Sequence, residues 1–260
     1  MRLLKTSAFC LIALLLLAAR AEAAVRLLPH RAAYGLALAT PGKDSDLAAV
    51  RGLLVLEWRP ACDGWLSHQR LGFVATRNDG TSFTYDVRFS SWESLDNTQL
   101  RFNVRSYDAG AIFEEYKGEA RLDGPGQGGR AVYVSPPDLE MALPPGTLFP
   151  TRHLHKLVER ALAGERLVSH VVFDGSGPDA LSEVTAVIAG VRRTDDNGQP
   201  RWPVTLAYHS IDASDALPVF ELAFELAADG VLRDVLLDYG DFSLSGRLEK
   251  LEELPAPPCE

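Results

Sequence analysis

The fold of this chain is decided by stretches such as residues 65–93, which read WLSHQRLGFVATRNDGTSFTYDVRFSSWE. Two β-rich runs, Trp65–Ala75 and Ser82–Glu93, flank a turn signal at residues 78–80 (NDG). Runs of this length and composition are typical of β-strands. Asn, Asp and Gly supply the positive φ angles that a tight turn between two strands requires. The stretch therefore predicts a β-hairpin.

The same pattern recurs along most of the chain. Further strands are predicted at Arg31–Ala39, Val50–Arg59, Leu100–Tyr107, Ala111–Leu122, Arg130–Val134, Arg166–Phe173, Leu181–Val191, Val204–His209, Val219–Ala227, Val231–Tyr239 and Phe242–Leu251. Turn signals also lie at 108–110, 195–198 and 228–230. About a dozen strands with short turns favour antiparallel meanders over parallel βαβ units. The sequence therefore predicts an all-β fold.

One segment predicts an amphipathic α-helix instead, over about residues 152–163. Five apolar residues fall at helical spacing on one face: Leu154, Leu157, Val158, Ala161 and Leu162. Thr151 is the candidate N-cap and Gly164 the candidate residue just past the C-terminus. We expect this inserted helix to bury its apolar face at a barrel end or on the concave side of the sheet. The proline-rich segment 136–150 before it is expected to be an extended linker.

The first residues predict export. Arg2 and Lys5 precede an apolar run, Ala8–Ala19, that is too short to span a bilayer, and residues 21–23 (AEA) match a cleavage signal. We therefore expect a cleaved signal peptide, residues 1–23, followed by a single β domain over residues 24–260. An uncleaved anchor is the alternative. No transmembrane segment is expected in the mature chain, because no later stretch approaches about 18 apolar residues.

Charge restricts the expected partners. The whole chain has a formal net charge of −9 at pH 7, and the leader carries more basic than acidic residues. An acidic surface repels phosphate backbones, so nucleic acid is not an expected partner. The same charge argues against general electrostatic docking on an anionic leaflet.

Two cysteines, Cys62 and Cys259, remain once the leader with Cys10 is removed. An even pair in an exported chain favours one disulfide, with two free thiols as the alternative. Cys259 follows a proline-rich tail, and a frayed tail has little reason to carry a cysteine unless it is held. A bond between them would close a loop of about 198 residues and stabilise the fold by roughly 5 kcal/mol as an upper estimate.

Few residues suggest chemistry, and no catalytic residue, metal site or cofactor is expected. His153 and His155 point to opposite sides of a helix and cannot chelate one ion, so we expect exposed histidines at the helix N-terminus. Ser176 lies in half of a nucleophile-elbow pattern, but the chain continues as a strand, which favours a hairpin turn. Four residues are candidates for a ligand or partner surface: Trp65, Trp92, His30 and His153. The simpler alternative for each is a packing or satisfied polar role.

Five short blocks suggest a family when taken together in their order and spacing. They are residues 28–34 (LPHRAAY), 62–65 (CDGW), 91–94 (SWES), 143–153 (LPPGTLFPTRH) and 172–176 (VFDGS). They resemble the EipB-like family of alphaproteobacterial envelope-integrity proteins. The resemblance covers nearly the whole mature chain.

The resemblance implies a monomeric periplasmic protein with a curved, spiral, β-barrel-like antiparallel sheet, here of about 12–14 strands. It implies one disulfide, which maps onto Cys62 and Cys259. It also implies a role in keeping the cell envelope intact under stress, beside a periplasmic tetratricopeptide-repeat partner. No catalytic residues come with it.

These expectations lead to three hypotheses of function. The first is a non-enzymatic periplasmic scaffold or interaction protein that maintains cell-envelope integrity. The second is a carrier or binding protein for a lipid, a cell-wall component or another apolar envelope ligand, since a curved sheet with a helix against its mouth can enclose a cavity. The third is an envelope hydrolase that uses His153, His170 or Ser176.

Overall fold

A computed structural model describes residues 25–42, 45–191, 193–194, 198–211 and 217–259. The predicted signal peptide and residues 195–197 of the predicted turn at 195–198 lie outside the described residues. Within these ranges the chain forms fifteen strands and one helix, α1 (Pro150–Leu162). The strands are β1 (His30–Pro41), β2 (Leu47–Ala61), β3 (Gly64–Arg77), β4 (Ser82–Ser94), β5 (Gln99–Asp108), β6 (Ala111–Leu122), β7 (Gly129–Ser135), β8 (Glu140–Leu143), β9 (Leu167–Phe173), β10 (Leu181–Ile188), β11 (Arg193–Thr194), β12 (Pro200–Ser210), β13 (Phe220–Ala227), β14 (Leu232–Asp238) and β15 (Phe242–Glu253).

All strands belong to one antiparallel sheet. Its order is β8-β7-β6-β5-β4-β3-β2-β1-β15-β14-β13-β12-β10-β9, and the short β11 pairs with β12 beside this path. Nearly every strand therefore pairs with its neighbours in sequence. The exceptions are the pairing of β10 with β12, beside which the short β11 lies, and the pairing of β1 with β15, which joins the first strand to the last. The two free edges are β8 and β9, which are consecutive in the chain. The sheet curls so that these two edges approach each other.

The connection between the two edges almost closes the barrel. The backbone N–H of Leu148 donates to the carbonyl of Val171 in β9 (2.8 Å), and the N–H of Phe173 donates to the carbonyl of Leu148 (3.0 Å). α1 follows directly and packs against the concave side of the sheet. The predicted all-β, curved, barrel-like sheet with one inserted helix is confirmed.

The helix begins two residues earlier than predicted, and Thr151 is not its N-cap. Phe149 occupies the N-cap position without a side-chain hydrogen bond, and Pro150 is the first helical residue. Proline is favoured there because its φ is already helical and the missing N–H would have no partner within the helix. Gly164 has a φ of +80°, and follows the last turn as predicted.

Two short strands were missed by the sequence prediction. The segment 136–150, expected to be an extended linker, contains β8, which pairs with β7 over residues 140–143. β11 is the second, and it comprises only two residues. Both are too short to show an alternation of apolar and polar residues, so only pairing with a neighbour defines them.

The largest apolar core lies between α1 and the inner faces of β1, β2, β9, β10 and β12–β14. A second cluster lies on the inner face of β5–β8 and includes Phe149 and Phe173. The structure also forms the predicted disulfide between Cys62 and Cys259, whose Cα atoms are 5.4 Å apart. In the described part of the chain, no helix is long and apolar enough to cross a membrane.

Candidate functional site

The concave side of the sheet encloses an interior cavity of about 400 Å³. Because strand side chains alternate between the two faces, every second residue of the surrounding strands points into it. Most of these are apolar, and they include Leu54, Leu71, Val87, Leu222 and Phe224. Ligand pockets in proteins commonly span about 300–1,000 Å³ and combine apolar walls with a few polar groups. The cavity has both properties.

The polar groups of the cavity differ in whether they have partners. The Tyr34 hydroxyl donates a hydrogen bond to the carbonyl of Leu232 (2.8 Å), so its proton has a partner. The indole N–H of Trp58 and Nε2 of His153 are buried in the cavity wall and have no hydrogen-bond partner among the described residues. Such unpartnered buried groups are rare in folded proteins.

His153 lies inside the fold, and the predicted exposed position is wrong. Its side chain is 5% exposed, because it lies on the apolar face of α1 together with Leu154 and Leu157. Its ring centroid is 5.5 Å from that of His170 in β9. Burial, and then the neighbouring His170, lower the pKa of His153 to about 3. Burial also lowers the pKa of His170, so both rings are neutral at neutral pH.

One end of the cavity is bordered by an aromatic rim. This rim consists of Phe73, Tyr85, Tyr208, Phe220, Tyr239 and Phe242. The ring centroids of successive members from Tyr208 to Phe242 are 5.1–5.4 Å apart. Tyr208 also lines the cavity itself. Tyr85 and Tyr239 are 39% and 37% exposed, so the rim connects the cavity wall with the surface.

A loop between β9 and β10 separates the cavity from the second apolar cluster. The Tyr133 hydroxyl donates to the carbonyl of Gly177 (2.8 Å), and Gly175, with a φ of +79°, lies against the ring of Phe102. Asp174 accepts a hydrogen bond from the N–H of Ser176 (2.8 Å). Burial raises the pKa of Asp174. The expected hairpin connection at Ser176 is confirmed, since β9 and β10 are antiparallel neighbours.

At the other end, a buried carboxylate holds the N-terminus of α1. Glu93, at the end of β4, is 3% exposed and accepts hydrogen bonds from the N–H groups of Thr151 (2.7 Å) and Arg152 (2.9 Å). The Asn97 side chain accepts a third from the N–H of Phe149 (3.1 Å). Burial, opposed by these hydrogen bonds and by Arg152, raises the pKa of Glu93 to about 7.

The four predicted surface residues do not meet at one site. His153 faces the interior cavity, whereas Trp65 lines a separate groove of about 870 Å³ beside Arg152 and His155. Trp92 lies on the outer face, where its indole N–H donates to Asp63 (3.1 Å). His30 is buried, and its Nδ1 contacts the carbonyl of Leu28 (2.7 Å).

The fold brings together the three residues of the hydrolase hypothesis, His153, His170 and Ser176. His153 and Ser176 both line the cavity, and His170 lies behind His153. No hydrogen bond joins Ser176 to either ring in the described part of the chain, and its backbone N–H is held by Asp174. Within the same residues, no group of three or more His, Cys, Asp or Glu side chains could hold a metal ion.

A family model described as EipB-like matches residues 21–255. The chain belongs to the EipB-like family. It is 30% identical over 247 residues to the cell envelope integrity protein EipB of Brucella abortus (strain 2308), which covers 90% of this chain and 87% of that protein. It also superposes on a crystal structure of a beta-barrel-like protein with a domain of unknown function from Brucella abortus. The TM-score is 0.81 at 30% identity, covering 89% of this chain and 100% of the other.

The sequence prediction missed two features of this EipB-like chain. Glu93 follows Phe89 and Ser91 at two-residue spacing, which places its carboxylate on the inner face of β4. A lone acidic residue at an inward position was a usable signal for a buried role. The aromatic rim had no such signal, because its residues come from five strands and the β14–β15 turn and meet only in the folded sheet.

Proposed function

We propose that this protein contributes to cell-envelope integrity as a non-enzymatic periplasmic protein that binds an apolar part of an envelope molecule in its interior cavity. The role in the envelope follows the name of the Brucella relative. The binding role is supported by the cavity itself, whose walls are mostly apolar. An apolar chain would lose its contact with water there, which is the main driving force for such binding.

The unpartnered groups in the cavity wall define where a polar end of the ligand would lie. The Trp58 N–H can donate, and neutral His153 can donate or accept through Nε2 according to its tautomer. A hydroxyl, ester or amide would satisfy both groups without placing a charge in the cavity, once side-chain rotation brings the two buried atoms into reach. The aromatic rim provides apolar surface at the boundary with solvent, through which a chain could enter.

The non-enzymatic part of the proposal is supported by the state of the candidate catalytic groups. His153 is neutral and buried. Among the described residues, no serine, cysteine or other nucleophile is hydrogen-bonded to its Nε2. The Ser176 side chain is exposed at the edge of the cavity. A variant in which His153, His170 and Ser176 are all alanine should therefore still complement a deletion strain if it folds.

Binding can be tested with N-phenyl-1-naphthylamine, a neutral apolar probe that fluoresces when it leaves water. Val87→Phe adds a ring inside the cavity and should weaken probe binding at least about tenfold, since its volume overlaps that of the ligand. Val74→Phe makes the same change on the outer face of the neighbouring strand, where Val74 is 47% exposed, and should leave binding unchanged. Urea unfolding of both variants confirms that they are folded. Equal binding by the two folded variants would contradict the proposal.

The native ligand and location can be examined on protein taken from cells. Native mass spectrometry of material from the periplasmic fraction should show a bound acyl-containing species, which is lost in Val87→Phe. The same spectra should show a chain that begins at Ala24. A full-length chain retained in the membrane fraction would contradict the expected export and cleavage.

A scaffold role is the second candidate, and exposed apolar residues near the aromatic rim favour it. Ile112, Phe113 and Val219 are 50%, 61% and 60% exposed. They lie next to the β5–β6 and β12–β13 connections and offer a contact surface for a partner, such as the proposed periplasmic tetratricopeptide-repeat protein. Phe113→Asp should abolish co-purification of that partner while probe binding persists. If Phe113→Asp instead lost probe binding and still co-purified with the partner, that result would contradict the scaffold surface and favour the cavity.

A further inference from the structure

The outer face of the sheet carries three arginines in one row across neighbouring strands. Arg70 in β3 pairs in register with Arg88 in β4, and Arg88 pairs with Arg105 in β5. Residues directly opposite each other on adjacent strands have Cβ atoms about 4.5–5.5 Å apart, and like charges in such pairs are destabilising. The row is therefore unfavourable unless anions compensate it, and it lies in a chain whose formal net charge is −9.

Carboxylates compensate only part of the row. Asp86 bonds to Arg70 (2.9 Å) and to Arg88 (3.0 Å), while Glu115 bonds to Arg105 (2.6 Å). Asp86 is thus shared between the first two guanidinium groups, and no described acidic side chain bridges Arg88 and Arg105. Arg88 and Arg105 are therefore the neighbouring pair in the row that shares no carboxylate. The guanidinium of Arg88 is further held in place over the ring of Tyr107, at 4.3 Å from its centroid.

A second row of polar side chains runs beside the arginines. His68, Ser90, Asn103 and Lys117 face one another in register on β3–β6. Oδ1 of Asn103 is buried and has no hydrogen-bond partner among the described residues. Lys117 adds a further positive charge. The uncharged side chains of Ser90 and Asn103 lie next to the unbridged interval between Arg88 and Arg105.

The two rows line a shallow groove of about 350 Å³. It includes His68, Arg70, Arg88, Ser90, Asn103 and Arg105. Glu57 also lines the groove, and its carboxylate is paired with Arg31 (2.6 Å). A second depression of about 400 Å³ towards Trp92 and Arg101 shares His68, Ser90 and Asn103 with it. The surface can therefore accept an anionic group together with an uncharged extension.

We propose that this outer groove binds a phosphate ester that carries a hydroxyl group. The phosphate lies between the guanidinium groups of Arg88 and Arg105, whose planar N–H forks match its oxygens. The hydroxyl lies against the polar side chains of Ser90 and Asn103, which line the same groove. This chemistry is that of glycerol phosphate, either free or as the headgroup of phosphatidylglycerol. The site lies on the outer face of the sheet and is independent of the interior cavity.

Isothermal titration with glycerol 3-phosphate at low salt tests the site. Arg88→Gln and Arg105→Gln should each weaken binding at least about tenfold, since each removes a charge-assisted pair of hydrogen bonds. The matched control is Arg121→Gln, which removes an exposed outer-face arginine that is paired only within its own strand, and it should leave affinity unchanged. Asp86→Asn removes the competing negative charge and should tighten binding several-fold, a gain that loss of folding cannot produce.

The source of the phosphate is distinguished by co-sedimentation with vesicles. Binding to vesicles that contain phosphatidylglycerol, competed by glycerol 3-phosphate and absent with phosphatidylcholine alone, identifies the lipid headgroup. Binding of glycerol 3-phosphate without vesicle binding identifies a free phosphate ester. Equal losses in Arg88→Gln and Arg121→Gln, or no binding of either probe by the folded protein, would overturn the proposal.

Discussion

Replacing Glu93 by glutamine should make the protein more stable at neutral and alkaline pH, although Glu93 holds the N-terminus of α1. The carboxylate is 3% exposed and accepts two backbone hydrogen bonds, from Thr151 and Arg152. These bonds and the charge of Arg152 favour ionisation, but burial opposes it more strongly and raises the pKa to about 7. Glutamine keeps the shape and one acceptor oxygen, and it removes the cost of burying a charge.

The sign and size follow from proton linkage. Between pH 4.5, the ordinary value for this group, and about 7, the folded state holds a proton on Glu93 that the unfolded state has lost. Stability therefore falls as pH rises across this interval, by about 1.4 kcal/mol per pH unit. The total is roughly 3 kcal/mol. Glu93→Gln lacks this loss, so its advantage should grow from near zero at pH 4.5 to roughly 3 kcal/mol at pH 8.

The assay is urea unfolding followed by tryptophan fluorescence, at half-unit steps from pH 4.5 to 8. Contributions common to both proteins cancel in the difference between their free energies of unfolding. Glu119→Gln, an exposed change on the outer face of β6, measures the general effect of losing one carboxylate. If Glu93→Gln is less stable than the wild-type protein at pH 8, the hydrogen bonds outweigh the burial and the reasoning is wrong.

Three further perturbations test other parts of the structure. The double change Cys62→Ser and Cys259→Ser should lower the free energy of unfolding by up to about 5 kcal/mol, as measured in urea, because the closed loop spans a sequence separation of 197. His153→Leu should reduce the acid sensitivity of stability by about 1.4 kcal/mol per pH unit below pH 6.5, because unfolding exposes an imidazole that then takes up a proton. If stability below pH 6.5 falls equally steeply in His153→Leu and in the wild-type protein, His153 is not buried as the structure shows. Gly175→Ala should lower the free energy of unfolding by roughly 2–4 kcal/mol, since φ is +79° and the new Cβ meets the ring of Phe102. Gly146→Ala, at a φ of +85° where the new Cβ meets no atom, should lower it less.

Local patterns were sufficient for most of the fold. Alternation and turn residues predicted thirteen of the strands, and the apolar spacing from Leu154 to Leu162 predicted α1 to within two residues at its start. These signals are local because a strand or helix must present its apolar side chains to one face at a fixed period. β8 is four residues long and β11 is two, so neither is long enough to show a periodic pattern. Only their pairing with β7 and β12 identifies them as strands.

The candidate site was much less predictable. Of the residues proposed from the sequence, His153 reached the interior cavity, while Trp65 and Trp92 lie in a separate groove and on the outer face. The role of Glu93 could not be predicted, because its partners are about 58 residues further along the chain and no local pattern links them. The arginine row shows the same limit, since register between strands determines which side chains become neighbours.

The sequence by itself predicted thirteen of the fifteen described strands and the amphipathic helix, and it favoured a bond between the two cysteines that remain after the predicted leader, since each depends on residue spacing or count. Tertiary structure alone decided where the sheet curls, that β1 meets β15, and that an apolar cavity remains beneath α1. The physical reason is that curvature and enclosed volume depend on how many strands pair and in what register. Those quantities arise from contacts between residues far apart in the chain, which no local pattern records.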